Sequence, residues 1–358
     1  MTARKLLDDC FLHDKDRLRH EDALSILEER IHCIKEIEQV ALADAAGRIL
    51  AEDITAPRDV PQADNSAVDG YAFRHKDHEP AGGFFRLEQR IAAGHPSGTE
   101  IGPWGAARIF TGAVMPPGAD TVAMQEDCET HDQDGQSFVI VPAGLKPGAN
   151  RRRAGEDVAK GAVLLGPGHR LRPQDLAAIA STGKATVSVY AKLRVALMST
   201  GDELVMPGDT PGPGQIIASN TFGLQALLQA HGADCRILPI ARDTLSSLRM
   251  GFELSAGADL VITIGGASVG DHDLVGEVAA GLGMDRAFYK VRMRPGKPLM
   301  AGRLGEAAMV GLPGNPVSAM VCGYIFILPM IRAMLGLGAD APAQMTATLA
   351  ADIGKNGP

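Results

Sequence analysis

Cysteine is scarce in this chain: five residues (Cys10, Cys33, Cys128, Cys235 and Cys322) among 358. They are odd in number, widely scattered and without a Cys-x-x-Cys pair, which argues against a disulfide framework or a cysteine zinc site and fits a reducing cytoplasm. Positive charge is also in deficit. Lys and Arg number 35 against 43 Asp and Glu, a net charge of -8 at pH 7, so the chain lacks the overall basic character that displaces counterions from nucleic acid. No apolar run reaches the ~20 residues that span a bilayer. The longest, from Val317 to Ile331, holds Pro329 inside it and reads as a buried helix. The amino terminus places Asp8 and Asp9 where a signal peptide would need its apolar stretch. The expectation is a cytoplasmic protein with neither nucleic acid nor membrane as partner. There is no Walker loop, His-Glu-x-x-His or nucleophile elbow, which removes the usual support for a kinase, a zinc peptidase or a serine hydrolase.

What remains is ordinary globular composition, 45% hydrophobic and 22% charged, in a chain too long for one core. At about 150 residues per domain, two or three modules are expected. Residues 20 to 34 place Leu24, Leu27, Ile31 and Ile34 at helical spacing. After Pro57 the texture turns to short extended runs broken by Gly and Pro, so about 61 to 157 reads as a small β domain inserted into a helical linker domain formed by 1–60 and 158–190. From about 191 to 338, strands and helices alternate, which implies parallel strands with crossover helices. Here Ser219 and Asn220 suit a helix cap and Gly232 a helix stop. Residues 341–358 read as an opening strand of a further, incomplete β domain.

The chemistry gathers after the strands. The apolar run at 260–264 leads into a glycine-rich loop with Gly265, Gly266, Ser268, Asp271 and Asp273. In an open α/β sheet, ligands sit in the crevice outside the carboxyl ends of the strands, and glycine lets the backbone approach a phosphate. Ser199, Thr200, Gly201, Asp202 and Glu203, then Arg242 and Asp243, repeat that punctuation. In Pro313-Gly314-Asn315-Pro316, Gly314 permits a positive φ, Asn315 can cap and Pro316 fits the first helical position. The free N–H groups of that helix start favour an anion, although an ordinary tight turn would read the same way. Lys290, Arg292 and Arg294 alternate, so an extended chain would project them from one face, with Lys297 close behind. The alternative is a solvated edge strand. Acids beside a phosphate would repel it unless a hard cation lay between, for which Mg²⁺ is the usual solution. In the β stretch, the turns at Asp64–Tyr71 and Thr111–Gly112, and Arg151–Arg153 ahead of Asp157, are polar clusters that turn chemistry or solvation would also explain.

Seven segments in order, 64–72, 111–120, 151–158, 199–204, 265–273, 294–298 and 311–318, resemble the molybdopterin molybdenumtransferase (MoeA) family, related to the carboxyl-terminal domain of gephyrin. The resemblance covers essentially the whole chain. It implies a multidomain α/β fold: a MoaB/MogA-like doubly wound α/β domain, the inserted β domain, the helical linker and a carboxyl-terminal β domain that this chain enters only at its end. The implied activity is insertion of molybdate into adenylylated molybdopterin with Mg²⁺-dependent release of AMP, giving molybdenum cofactor. Carried over by motif, Glu203, Asp243 and Asp273 serve metal, nucleotide and pterin, and Lys290, Arg294 and Lys297 hold phosphate or molybdate. The 199–202, 265–268 and 313–315 loops line the cofactor site. Asp69, Thr111 and Asp157 contribute from the β domain, across the interface of a homodimer. An adenylyltransferase and molybdoenzyme chaperones are the other implied partners. Arg294 stands where family members vary between Lys and Arg. A molybdopterin-binding scaffold without insertion activity and a molybdopterin adenylyltransferase remain as alternative readings.

Overall fold

The computed structural model describes residues 18–266, 274–337 and 345–352. Its largest sheet has the strand order Ala233–Ile237, Leu193–Ser199, Leu260–Ile264, Ala307–Leu312, Pro298–Leu304, Asp285–Lys290. The first four strands are parallel. All five residues of Leu260–Ile264 are buried, as expected for a central strand covered on both faces by crossover helices. Alternate residues face opposite ways. Leu197, Ile262 and Val310 pack with Leu224, Leu228, Phe326 and Ile331 on one side. Met198, Val261 and Met309 meet Leu248, Phe252 and Val275 on the other. The last two strands break the parallel pattern. Turns 291–297 and 305–306 are too short for a crossover helix, so Asp285–Lys290, Pro298–Leu304 and Ala307–Leu312 zigzag antiparallel.

The apolar run after Pro316 forms a 19-residue helical stretch, Pro316–Met334, whose best 18-residue window has a mean hydropathy of 1.8 and is 56% buried within the protein. It is a core helix against the sheet. Its middle widens into a π turn at Gly323–Ile327, just before Pro329, whose missing N–H would leave a carbonyl one turn back without its ladder bond in any case.

Residues 18–60 pack in two cores. The helix His20–Arg30 buries Ala23 and Leu27 in the core of the α/β body, and the Ile34 N–H donates to the Met334 carbonyl at 2.7 Å. The remaining linker is more strand than helix. Ile37–Ala41 pairs with Thr186–Tyr190, and Ile54–Thr55 with Val163–Leu165. One helix, Pro173–Ser181, closes a core of Leu50, Ile54, Leu171, Ile179 and Val189. Asp175 caps that helix, accepting from the Arg172 N–H at 2.8 Å and facing His169 Nε2 at 2.8 Å. The Arg172 guanidinium, foremost, holds its carboxyl well below the usual range.

The β domain leaves and rejoins the linker where the Val60 N–H donates to the Val158 carbonyl at 2.8 Å. Its six-stranded sheet has the order Thr121–Met124, Gly70–Phe73, Gly105–Ile109, Phe84–Ile91, Gln136–Ile140, Glu129–Gln133. One pair, Phe84–Ile91 with Gly105–Ile109, is parallel. Residues 345–352 form no strand, and Met345 and Leu349 are exposed; the strand expected there has no neighbour among the described residues to supply its ladder bonds.

Candidate functional site

Four strand ends meet on one rim of the α/β sheet. The Thr200 N–H donates to the Ile264 carbonyl at 3.0 Å, the Gly201 N–H to Ala241 at 3.1 Å and the Gly265 N–H to Leu312 at 3.0 Å. The first and last of these bonds carry the sheet's parallel register one residue beyond the strands, and the second reaches Ala241, four residues past Ile237, so that the loops after 199, 241, 264 and 312 are held against each other. Glycine is required at the junction. Gly265 has φ +93°, and a Cβ there would stand 2.7 Å from the Thr200 carbonyl oxygen. At Gly266, φ +65°, a Cβ would meet Val275 Cγ2 at 2.4 Å and Thr200 Oγ1 at 2.8 Å. Thr200 is 2% exposed, and its buried hydroxyl has no hydrogen-bond partner among the described residues. Ser199, also buried, precedes it.

Of the five acids expected at the rim, Asp202 and Asp243 are joined here and Glu203 lies on the same loop as Asp202. Asp202 Oδ1 accepts the Asp243 N–H at 3.2 Å. Glu203 folds back over Gly201, where a Cβ would stand 2.5 Å from its carboxylate oxygen. Asp271, Asp273 and Ser268 lie outside the described residues, and among those described no group of three metal-ligating side chains is assembled.

The turn 313–315 closes the same rim. Asn315 accepts the Ser318 N–H at 3.1 Å and Pro316 opens the helix, as its sequence implied. Gly314 does not take the positive φ expected of it; its Cβ position is 3.5 Å from Gly265 Cα, so the two glycine loops touch. Ser219 occupies the cap of its helix without a side-chain bond, and Asn220 Nδ2 donates instead to the Gly314 carbonyl at 2.7 Å.

The basic run is corrected by the structure. Its strand stops at Lys290, because the Val291 N–H donates across the turn to the Lys297 carbonyl at 3.2 Å and the Met293 N–H folds back onto the Val291 carbonyl at 3.0 Å. The extended face of Lys290, Arg292 and Arg294 therefore does not form. The hairpin has another effect. Lys290 pairs with Pro298 and Met300 with Gly311, so the turn carrying Lys290, Arg294 and Lys297 lies at the sheet end where the Ala307–Leu312 strand enters Pro313.

In the β domain, Asp69 Oδ1 accepts the Thr111 N–H at 2.7 Å and the Thr111 hydroxyl at 2.8 Å. The backbone donor first, then the hydroxyl, hold this carboxyl below its ordinary value. Asp157 is ion-paired with Arg152. The bonds described for these three residues stay within the β and linker domains, so this protomer does not join them to the rim. Arg108, which the sequence did not single out, braces the Asp69–Thr111 pair. Its Nη1 donates to the Gly70 carbonyl at 2.8 Å, and its guanidinium lies 4.7 Å from the Phe110 ring centroid. A backbone acceptor and a ring neighbour leave no spacing signature to find.

A cavity of about 590 Å³ lies elsewhere. It is lined by Arg194, Asp259 and Ala308 at the amino ends of the strands, opposite the rim, and its principal charges are paired, Arg194 with Asp259 at 2.7 Å. Size and chemistry disagree here, and the chemistry lies at the carboxyl ends. Burial pushes the Cys235 and Cys322 thiols up to about 12, which leaves neither as a nucleophile.

Residues 18–183 match the MoeA N-terminal region (domain I and II), and residues 196–333 a probable molybdopterin binding domain. The chain is 40% identical over 321 residues to the molybdopterin molybdenumtransferase of Haemophilus influenzae, covering 88% of this chain and 77% of that protein. It is 38% identical to those of Nostoc (85% and 70% covered) and Bacillus subtilis (84% and 71%). Two solved structures of a molybdopterin biosynthesis MoeA protein from Pyrococcus horikoshii superpose with TM-scores of 0.78 and 0.76, at 32% and 29% identity, covering 90% and 89% of this chain and 81% and 80% of those. With two family models and relatives of this identity and coverage in agreement, the chain belongs to the molybdopterin molybdenumtransferases, the MoeA family of enzymes in molybdenum cofactor biosynthesis.

Proposed function

We propose that this chain inserts molybdate into adenylylated molybdopterin, with Mg²⁺-dependent release of AMP. The observation that carries the reading is one rim shared by the Asp202–Asp243 contact, the Gly201 and Gly265–Gly266 loops and the Asn315 cap. A polyanionic substrate needs close backbone approach and N–H donors, which the glycines and the helix start supply. It also needs positive charge, and the hairpin turn brings Lys290, Arg294 and Lys297 to that end of the sheet. Their role is to hold phosphate or the molybdate oxyanion, itself a substrate.

The donor set fits Mg²⁺: hard carboxylate oxygens on a rim, few enough that waters and phosphate oxygens complete the shell. Glu203 and Asp243, with Asp273, would hold it, and when bound it neutralises phosphate charge. The buried Thr200 hydroxyl, without a partner in the described chain, is available to donate to substrate. Asp69, Thr111 and Asp157 act from the β domain of a second copy in a homodimer, which fits their separation from the rim in one protomer. An adenylyltransferase upstream and molybdoenzyme chaperones downstream are the partners this chemistry calls for.

The test is AMP release by the purified chain from adenylylated molybdopterin, with molybdate and Mg²⁺ added singly and together. Release only with both supports the proposal. Tight molybdopterin binding with no AMP under any addition would instead establish a scaffold.

A further inference from the structure

Arg242 stands amid the rim acids, yet the acceptors of its side chain are backbone oxygens. Nη1 donates to the carbonyls of Gly201 at 3.3 Å, Asp202 at 3.0 Å and Leu204 at 2.9 Å. Its own N–H donates to Ser247 Oγ at 2.9 Å, and the Ser247 N–H donates to Thr244 Oγ1 at 3.3 Å, the cap of the helix Leu245–Leu254. One residue therefore ties the 201–204 loop to the head of a helix that is itself anchored in the core by Leu248 and Phe252. Next to it, the Asp243 N–H takes Asp202 Oδ1. The hydrogen bonds described for this guanidinium all go to carbonyls, with no ion pair to a rim carboxylate among the described residues, and three converging carbonyl dipoles stabilise its charge.

We infer that Arg242 is a positioning residue: by gripping the 201–204 backbone it fixes the loop that carries Glu203 and that sets Asp202 against the Asp243 N–H, so that these acids are presented to a divalent cation. This rests on the reading of the acid rim given above. The loop it grips is also held by the Gly201 N–H donating to the Ala241 carbonyl at 3.1 Å and by the Glu203 carbonyl accepting the Ile216 N–H at 2.8 Å. Beyond Leu204–Val205, paired with Ile216–Ile217 over two residues, the segment runs through Pro207, Gly208, Pro211, Gly212, Pro213 and Gly214, and Ile216 is exposed. Without the guanidinium, the 201–204 turn would keep those backbone bonds but lose the three that draw its carbonyls together, and part of the cost of ordering Glu203 would fall on cation binding.

The experiment is a titration of the intact chain with Mn²⁺, followed by the EPR signal of free Mn²⁺, since Mn²⁺ shares the preference of Mg²⁺ for carboxylate and water oxygen. R242Q should weaken Mn²⁺ by about tenfold or more, as expected for loss of charge-assisted hydrogen bonds. R242K, whose ammonium has three donors for three carbonyls, should weaken it only about threefold. Thermal melting checks the fold of each variant. If R242Q does not fold, R242K carries the test by itself. Wild-type affinity in a folded R242Q, or in R242K where R242Q fails to fold, overturns the positioning role. Absence of Mn²⁺ binding by the wild-type chain overturns the acid-rim reading itself, and the two failures are thereby told apart.

Discussion

Replacing Gly265 by Ala tests whether the rim is built as described. At φ +93° an alanine costs about 1–2 kcal/mol for the left-handed conformation alone. Its methyl would also stand 2.7 Å from the Thr200 carbonyl oxygen, which is backbone and cannot swing aside. The strand ends must part, straining the Thr200–Ile264 and Gly265–Leu312 bonds, both 3.0 Å, each worth about 0.5–1.5 kcal/mol. The expected total is about 2–4 kcal/mol. Gly257 provides the control, since it has φ +79° with nothing within 4 Å of its Cβ position, so G257A should show the conformational cost of about 1–2 kcal/mol and no more. The single tryptophan, Trp104, lies in the β domain and would not report on this body. Hydrogen exchange of peptides covering 193–200 and 260–266 would. Faster exchange in G265A than in G257A is the expected result, and equal protection in the two variants refutes the close approach of the two loops.

Asp243→Asn should lower AMP release by roughly a hundredfold, the scale of losing one preorganised charge in a catalytic site, with circular dichroism unchanged; full activity would remove Asp243 from the site. Thr111→Val deletes one of two donors to Asp69. Both donors favour the carboxylate, so the folded pKa is depressed; their stabilisation is present above the unfolded pKa and lost as pH falls through the folded one. The variant should move Asp69 up toward its ordinary value in a carboxyl NMR titration, and an unmoved titration contradicts the assignment. Lys290→Ala with Lys297→Ala should weaken AMP binding about tenfold by calorimetry, as expected for lost charge-assisted contacts, and unchanged affinity would take the hairpin turn out of the anion site. Ile262→Ala, in the fully buried central strand, should cost about 2–5 kcal/mol in denaturant titration, and a cost below 1 kcal/mol would refute its place between the two helix layers.

Much of the α/β body was legible from sequence because its signals are local. The run at 260–264 is apolar at every position, which a strand covered on both faces requires, and Asn315 and Pro316 cap and open a helix through their own covalent geometry. The inserted β stretch was visible in its short extended runs. Signals that depended on a neighbour misled. The alternation of Lys290, Arg292 and Arg294 suggested one strand face, but a cross-turn bond from Val291 to Lys297 ended the strand first. The helical spacing of residues 20–34 likewise could not name the surface that buries Ala23 and Leu27, which is the α/β core.

The sequence by itself determined the order of the units and which residue types stood after each strand, since hydrophobic period and glycine placement act over a few residues. Only the tertiary structure decided which strand ends share a rim. It brought Thr200 beneath Gly266, Asp202 against Asp243 and the basic hairpin beside Pro313, and left Asp69 and Thr111 apart on the β domain. It also showed Arg242 and Arg108 as braces. The acceptors of Arg242 are main-chain carbonyls, which every residue possesses, and Arg108 joins the Gly70 carbonyl to the Gln125 side chain and the Phe110 ring across separate strands and turns, so no spacing of side chains along the chain pointed to either.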